Sequence, residues 1–369
     1  MEGADIIVMI IFVIAFLVQI YYYLIIYSQL ASYKQAEVSS KKEGVSVIIA
    51  ARNELENLKK NLHLFFEQDY PDFQIIVVND RSWDESKYYL ADLAKEHKNL
   101  KVVEVDEIKG FKQGKKFALT LGIKGAAHDL LLITDADCVP SSKNWIKEAV
   151  NCYKDETEVL IGYGAYKKEG GLLNKLVRLD TFFTAIQYLS FAIAGKPYMG
   201  VGRNISYRKN MFLRNKGFAS HNHIMAGDDD LFVNEVANSK NTSVLISKDA
   251  FTLSEPSKSF KEWIHQKKRH LSVGKYYKMS DKFVLGLQGF TNIMFYLSAV
   301  YLLIQNFYPE FVVTAILIRL IIQLVINYGC LRKLQETDLL ILTPLYDLFA
   351  AFFYPSIAIS NLIFKSNKW

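Results

Sequence analysis

Three cysteines in 369 residues, Cys138, Cys152 and Cys330, are too few and too scattered for a disulfide framework or a zinc motif, and they suit a reducing compartment. Seven prolines exclude collagen-like and proline-rich low-complexity chains. Charged residues make up only 22% against 51% hydrophobic, which rules out intrinsic disorder, because a chain this apolar has the mass to bury a core. The first predicted strand is not followed by a Gly-x-Gly-x-x-Gly fingerprint, which argues against a dinucleotide-dependent dehydrogenase, and a Gly-x-x-x-x-Gly-Lys-Ser/Thr phosphate loop is missing too. Gly162-Tyr-Gly164 and Gly200-Val-Gly202 are too sparse for phosphate cradles and read as turns, or as places where backbone approaches a ligand. The net charge of +6 comes without an aromatic–basic stripe, so nucleic acid is not the expected partner.

The apolar residues are unevenly placed. Residues 6–26 carry no charge and lead into Tyr21, Tyr22, Tyr23 and Tyr27. About 21 residues at roughly 1.5 Å each match a hydrocarbon core of roughly 30 Å. A cleaved signal peptide fits poorly, since residues 1–5 are acidic, the run is too long and no small-residue cleavage site follows. Residues 283–308, 311–330 and 339–364 repeat the pattern, the last with Pro344 and Pro355 that allow a broken or re-entrant segment. Arg319 and Asp347 interrupt the last two runs. Either they pair with each other, or the Arg snorkels and the Asp lies near the interface.

Basic residues flank the spans. Lys34, Lys41 and Lys42 follow the first, Lys258, Lys261, Lys267, Lys268, Arg269, Lys275 and Lys278 precede the second, and Arg332 and Lys333 separate the last two. Positive-inside reasoning predicts a multi-pass protein of the cell (inner) membrane with a cytosolic middle region and the N-terminus outside. Lys365 and Lys368 fit less well if the fourth segment crosses fully. The expected plan is a transmembrane helix at 1–30, a cytosolic domain at 44–255, an interfacial amphipathic segment at 256–282, and two or three spans at 283–369. The basic collars predict contact with membrane lipids.

Between the spans, strands alternate with helices. Residues 45–50 form a short apolar strand followed by the polar turn Ala51-Arg52-Asn53-Glu54, and Leu55, Leu58, Leu62, Phe65 and Phe66 keep helical spacing. A second strand at 73–78 ends in Asn79-Asp80-Arg81-Ser82, a helix covers 85–96, and a third strand spans 100–105. A helix opens near Gly114, and a fourth strand at 130–134 ends in Asp135-Ala136-Asp137. Apolar strands with helical crossovers predict an α/β fold: a mostly parallel sheet, right-handed, with helices on both faces. Polar residues gather after each strand, at the carboxyl edge where open α/β sheets bind ligands.

Two carboxylates at the end of a buried strand, Asp135 and Asp137, can share a divalent cation with a diphosphate. Asp228-Asp229-Asp230 follows Gly227 at the entry to a helix; capping accounts for one acid, and crowding raises carboxylate pKa values, which suits a general base. Gln266-Lys267-Lys268-Arg269-His270 lies in a basic amphipathic stretch with Trp263, Ile264 and Leu271. Such a stretch reads as an interfacial helix, with Gln266 and Arg269 on one face and able to reach a diphosphate together. His221 and His223, just before the acidic triplet, belong either to an acceptor-side or exposed loop, or to a His/Asp metal site.

In this order and spacing the clusters resemble the membrane-bound family-2 inverting glycosyltransferases, which have a GT-A Rossmann-like fold and include cellulose-synthase-like and ceramide-glucosyltransferase-like members. The resemblance covers residues 45–270. It implies that Ala51, Arg52, Asn53 and Glu54 border the nucleotide, that Asp80 contacts the nucleobase, and that Lys115 lies beside the donor. It implies that Asp135-Ala136-Asp137 binds the diphosphate, with Asp135 and Asp137 holding Mg2+ or Mn2+. Residues 266–270 resemble a Gln-x-x-Arg-Trp motif with His270 in place of the tryptophan, which adds Gln266, Arg269 and His270 to the donor side. Taking Leu231 as the family's helix leucine makes Asp228 the base, and a one-residue shift makes it Asp229. Arg203, Asn204, His221 and Asp230 fall to the acceptor.

The implied reaction is a single displacement from a nucleotide-diphosphate sugar, a UDP-sugar by preference, onto a lipid or membrane-proximal glycan acceptor in cell-envelope or polysaccharide assembly. Four spans form a hydrophilic export channel poorly, which leaves as the alternative a processive polysaccharide synthase working with a partner or as an oligomer. A non-catalytic scaffold or transporter subunit predicts fewer ionisable clusters at strand ends and more polar residues within the spans.

Overall fold

The computed structural model describes residues 2–35, 43–106, 114–224 and 226–363. Lys41, Lys42, Phe364, Lys365 and Lys368 of the sequence reading lie outside the described residues. The chain forms two compact units, one of residues Lys34–Glu169 and Ala192–Pro256, the other of Met1–Tyr33, Gly170–Phe191 and Ser257–Trp369.

The first unit is built on a seven-stranded sheet. Its strands, with those of a small second sheet, are β1 (Val45–Ala51), β2 (Phe73–Asp80), β3 (Leu100–Val105), β4 (Leu130–Asp135), β5 (Cys138–Pro140), β6 (Val159–Gly162), β7 (Gly164–Tyr166), β8 (Ile205–Arg208), β9 (Thr242–Leu245) and β10 (Thr252–Ser254). The large sheet runs β3-β2-β1-β4-β8-β6-β9, and the small one β5-β10-β7. The β3-β2-β1-β4 half is parallel throughout, as expected of Val/Ile/Leu runs with helical crossovers. β8 runs antiparallel to both its neighbours, so the sheet is mostly parallel, as expected, and not wholly so. The core draws on Val45, Val47 and Ile49 of β1, Ile75 and Val77 of β2, Leu130 and Leu132 of β4, and the helix Trp145–Asn151. Register places Ala51 opposite Asn79 and Ala50 opposite Asp135, so the polar ends of β1, β2 and β4 share one carboxyl edge.

Among the described residues, the second unit holds five helices long and apolar enough to cross a membrane, against four apolar runs expected. The first begins as an α-helix at Glu2–Tyr21 and continues through a π-helical turn, Tyr22–Tyr27. The additional one is Leu172–Ile193, and Gly170–Phe191 groups with the other long helices and not with the rest of 44–255. Charges hid it from a hydropathy reading, and two of them are matched within the fold: Arg178 binds Glu336 and Asp338, and Asp180 binds Lys267. The other three are Met279–Ile304, Pro309–Leu334 and Thr343–Ile363. Pro355 lies inside the last without breaking it, so that segment is one continuous helix.

Of the two readings of Arg319 and Asp347, the ion pair is the one observed. Arg319 Nη2 lies 2.8 Å from Asp347 Oδ2, and both side chains are buried. Asn292 Oδ1 accepts from Arg319 at 2.7 Å, and the Tyr296 hydroxyl donates to Asp347 Oδ2 at 2.6 Å. Removing one partner strands the other charge in an apolar bundle. Arg319→Leu or Asp347→Leu alone is therefore expected to cost about 3–5 kcal/mol, and the double variant clearly less. Thermal unfolding in detergent measures this.

Candidate active site

The loop after β1 is fastened to the loop after β2. Asn53 takes a left-handed conformation (φ 56°), which asparagine tolerates. Its N–H donates to Ser82 Oγ at 2.9 Å, its Oδ1 accepts from Trp83 N–H at 3.0 Å, and Leu55 N–H donates to Asp84 at 3.1 Å. Arg52 lies over the Trp83 ring, 5.7 Å from its centroid. Glu54 holds Asn57 at 2.6 Å, and burial, with Asp137 and Asp135 near, pushes its carboxyl up. Asp80 is buried and gripped by its own neighbour, Arg81, through two hydrogen bonds of 2.8 and 3.1 Å. Ala51 and Ala136 are buried, and the Ala136 carbonyl accepts from Asn61 at 3.1 Å.

Lys115 joins clusters that lie far apart in the sequence. It opens the helix Lys115–Gly125, and its Nζ is 2.7 Å from Asp135 Oδ1 and 2.8 Å from Asp228 Oδ2. Burial alone would lower its pKa, but Asp135, Asp228 and Asp229 outweigh that and hold it well above the ordinary lysine value. Burial alone would raise Asp228, but Lys115 keeps it below the usual carboxylate range.

Asp229 differs from Asp228. It caps the helix Asp230–Val236, its Oδ1 accepting from Asp230 N–H at 2.9 Å and its Oδ2 from Gly202 N–H at 2.6 Å. Burial first, and then Asp228, push its carboxyl up. A Cβ on Gly202 would stand 3.2 Å from that same Oδ2, so the glycine leaves room for the Asp229 carboxylate. Asp230 turns Oδ1 to the Leu231 N–H at 2.7 Å.

The metal reading is tested by the donor set. The ligand atoms of Asp135, Asp137 and Cys138 lie within 4.8 Å of one another. Burial pushes the Cys138 thiol well above its ordinary value, and its Sγ lies 3.0 Å from Ser254 Oγ, so it stays protonated. What remains is a pair of carboxylates, the hard oxygen set that Mg2+ and Mn2+ favour, so the residues fit the ion. Burial and then Asp135 raise Asp137, and Arg203 works against them.

Of the residues expected on the acceptor side, Asn204 is otherwise engaged. It is 1% exposed, its amide donates to the carbonyls of Tyr163 (3.0 Å) and Ala250 (2.9 Å), and its Oδ1 accepts from Trp145 Nε1 at 3.2 Å. These bonds secure the entry to β8. Arg203 stacks on Tyr166 at 4.3 Å, and its charge acts on Asp137, which places it beside the Asp135/Asp137 pair. A Cβ on Gly164 would come within 2.9 Å of Arg203 Cβ, so that glycine makes room for it. His221 is buried, with Nδ1 2.8 Å from Ser220 Oγ, and burial, helped by Lys116, pushes it down to about 4. It is neutral at physiological pH and stands outside the metal-type group found among the described residues.

Sequence reasoning passed over Lys116. It is 4% exposed, and its Nζ donates to the carbonyls of His221 (2.8 Å) and Ile224 (3.0 Å), which ties down the segment leading to the acidic triplet. Burial lowers its pKa to about 8. Gln266, Arg269 and His270 belong to the other unit, on the helix Phe260–Leu271, with Arg269 and His270 exposed and Gln266 half-buried. That helix opens on Ser259, whose side chain accepts from Glu262 N–H at 3.2 Å, and ends on Lys268, Arg269 and His270, each favourable to its dipole.

Residues 46–215 match the model of the family described as glycosyl transferase family 2. They form a family 2 glycosyltransferase domain. Ninety-seven residues, 26% of the chain, are 34% identical to 22% of the poly-beta-1,6-N-acetyl-D-glucosamine synthase of Staphylococcus epidermidis. A stretch of 139 residues, 36% of the chain, is 29% identical to 40% of the dolichyl N-acetyl-alpha-D-glucosaminyl phosphate 3-beta-D-2,3-diacetamido-2,3-dideoxy-beta-D-glucuronosyltransferase of Methanococcus voltae. The chain thus spans well under half the length of these relatives. Among solved structures, the mannosyltransferase PcManGT from Pyrobaculum calidifontis, in complex with GDP-Man and Mn2+, aligns over 94% of this chain and 99% of its own with a TM-score of 0.60. At 16% identity that likeness shows a shared fold, and the GT-A expectation is met.

Proposed function

We propose that the protein is a membrane-bound, metal-dependent glycosyltransferase that moves a sugar from a nucleotide-diphosphate sugar to a lipid or membrane-proximal glycan acceptor, with inversion. The observation that carries this reading is the Lys115 ammonium shared between Asp135 and Asp228. It sets the carboxylates suited to a metal diphosphate beside a carboxylate suited to deprotonating the acceptor.

In this reading Asp228 takes the proton of the acceptor hydroxyl, whose oxygen attacks the anomeric carbon while the bond to the diphosphate breaks on the opposite face. A divalent cation on Asp135 and Asp137, when bound, neutralises charge on the departing diphosphate. Lys115 and Arg203 add fixed positive charge, so Arg203 moves from the acceptor to the diphosphate. The 51–54 loop and Asp80 border the nucleotide, and Gln266, Arg269 and His270 stay on the donor side on the strength of their motif alone. Asp230 and the loop around His221 stay with the acceptor. The five long apolar helices support a multi-pass protein, and the basic collars support a cytosolic catalytic domain on the inner membrane.

Similarity to a dolichyl-phosphate sugar transferase favours a lipid-linked acceptor. Similarity to a polymer synthase keeps the processive alternative open. Incubating the purified protein with UDP- and GDP-sugars and extracted membrane lipids, then sizing products by mass spectrometry, separates them. One added sugar of inverted configuration is expected. Long homopolymers would select the processive reading, and retained configuration would end single displacement.

A further inference from the structure

The segment from 266 to 270 contains two lysines between its glutamine and arginine, and the reading so far gives them no role. Both are committed within the second unit. Lys267 forms an ion pair with Asp180 of the helix Leu172–Ile193, and Asp180 is fully buried. The same carboxylate accepts from the hydroxyls of Tyr346 (2.9 Å) and Tyr354 (2.5 Å), both on the helix Thr343–Ile363. Lys268 Nζ donates to Ser360 Oγ at 2.8 Å, and the Lys268 carbonyl accepts from Asn361 at 3.0 Å. One turn earlier, Trp263 is fully buried and stacked on Phe353, with centroids 4.9 Å apart and planes 11° apart. The amphipathic helix is therefore docked on protein by a charge, a hydroxyl contact and a ring stack, where a helix floating at a lipid interface would need only an apolar face.

We propose that Asp180, oriented by Tyr346 and Tyr354, is a positioning residue that acts through Lys267 to fix the helix Phe260–Leu271, and with it Gln266 and Arg269. The inference rests on the reading of Gln266 and Arg269 as diphosphate ligands and gives it a mechanical basis. A guanidinium on a helix end binds a diphosphate well only if the helix is held, because small misplacements of a charged hydrogen-bond donor are costly. A buried acid that receives an ammonium and two hydroxyls has its geometry over-determined, as such a hold requires.

The test measures the dissociation constants of UDP and GDP, with Mn2+ present, for the full chain in lipid nanodiscs. Asp180→Asn/Lys267→Met removes both charges together, so neither is left buried alone. The double variant is expected to keep its thermal midpoint and to weaken nucleotide binding about tenfold to hundredfold. Lys267→Arg, which preserves the pair, is expected to bind like the parent. Should the double variant fail to fold, Tyr346→Phe/Tyr354→Phe serves in its place, with binding weakened about tenfold. Parental affinity in the folded double variant, or in the double tyrosine variant where that replaces it, overturns the proposal. Arg269→Ala separates the two levels: if it weakens binding while the Asp180 and Lys267 variants do not, only the positioning role falls, and if it leaves binding unchanged, the reading of the motif falls and the proposal with it.

Discussion

Replacing Asp228 by asparagine is expected to lower the rate of sugar transfer about 10²- to 10⁴-fold while leaving nucleotide affinity near the parental value. Asparagine keeps the shape of the side chain but cannot accept a proton, so the loss isolates base chemistry from packing. Asp228 is the better candidate of the two because of what its oxygens already do. Lys115 holds it in the charged form, the form that receives a proton. Asp229 spends one oxygen on the Asp230 N–H and the other on the Gly202 N–H. Asp229→Ala should act first on folding, with a loss of about 0.5–2 kcal/mol for the missing helix cap, and on rate only through displacement of its neighbour. Thermal midpoints and single-turnover rates on the two variants distinguish the roles. A slow but stable Asp229→Asn beside a fully active Asp228→Asn would exchange them.

Much of the parallel half of the large sheet was legible because its signals are local. β3 was expected and found at 100–105, and β1, β2 and β4 each extend one or two residues past their expected ends. Each strand is a short Val/Ile/Leu run closed by polar residues, and nothing distant competes with that pattern. The reversal of β8 was not legible, since residues 205–208 (Ile-Ser-Tyr-Arg) suit either direction and the choice is made by β4 and β6 on its two sides. The helix Leu172–Ile193 was hidden for a different reason. Hydropathy counts Arg178 and Asp180 as costs, whereas the fold supplies each with an ion-pair partner more than 80 residues away. The site shows the same division. The acidic clusters announced themselves by composition, but that Lys115 joins Asp135 to Asp228, and that Lys116 ties down the segment before the triplet, are tertiary facts.

Chelation with EDTA is expected to stop transfer, and Mg2+ or Mn2+ to restore it. Asp135 and Asp137 end a buried strand beside Glu54, and burial together with the mutual repulsion of these acids pushes the carboxyls of Asp137 and Glu54 up. Asp135 and Asp137 would hold a divalent cation, whose charge would relieve that repulsion and favour a diphosphate beside them. Asp135→Asn and Asp137→Asn should each cost about 10²–10³-fold in rate, with the double variant little worse than either, because the two carboxylates act on one ion. Asp135→Asn also frees Lys115 to pair with Asp228 alone, so its loss should include a weaker base, seen as a displaced acid limb of the pH–rate profile. Cys138→Ser should leave rate and metal preference unchanged, since a protonated thiol shared with Ser254 takes no part in binding a hard cation. If EDTA and both aspartate substitutions were without effect, the charge on the diphosphate would have to be carried by Lys115 and Arg203 in place of a metal, and loss of activity in Lys115→Met and Arg203→Met would identify them as its carriers.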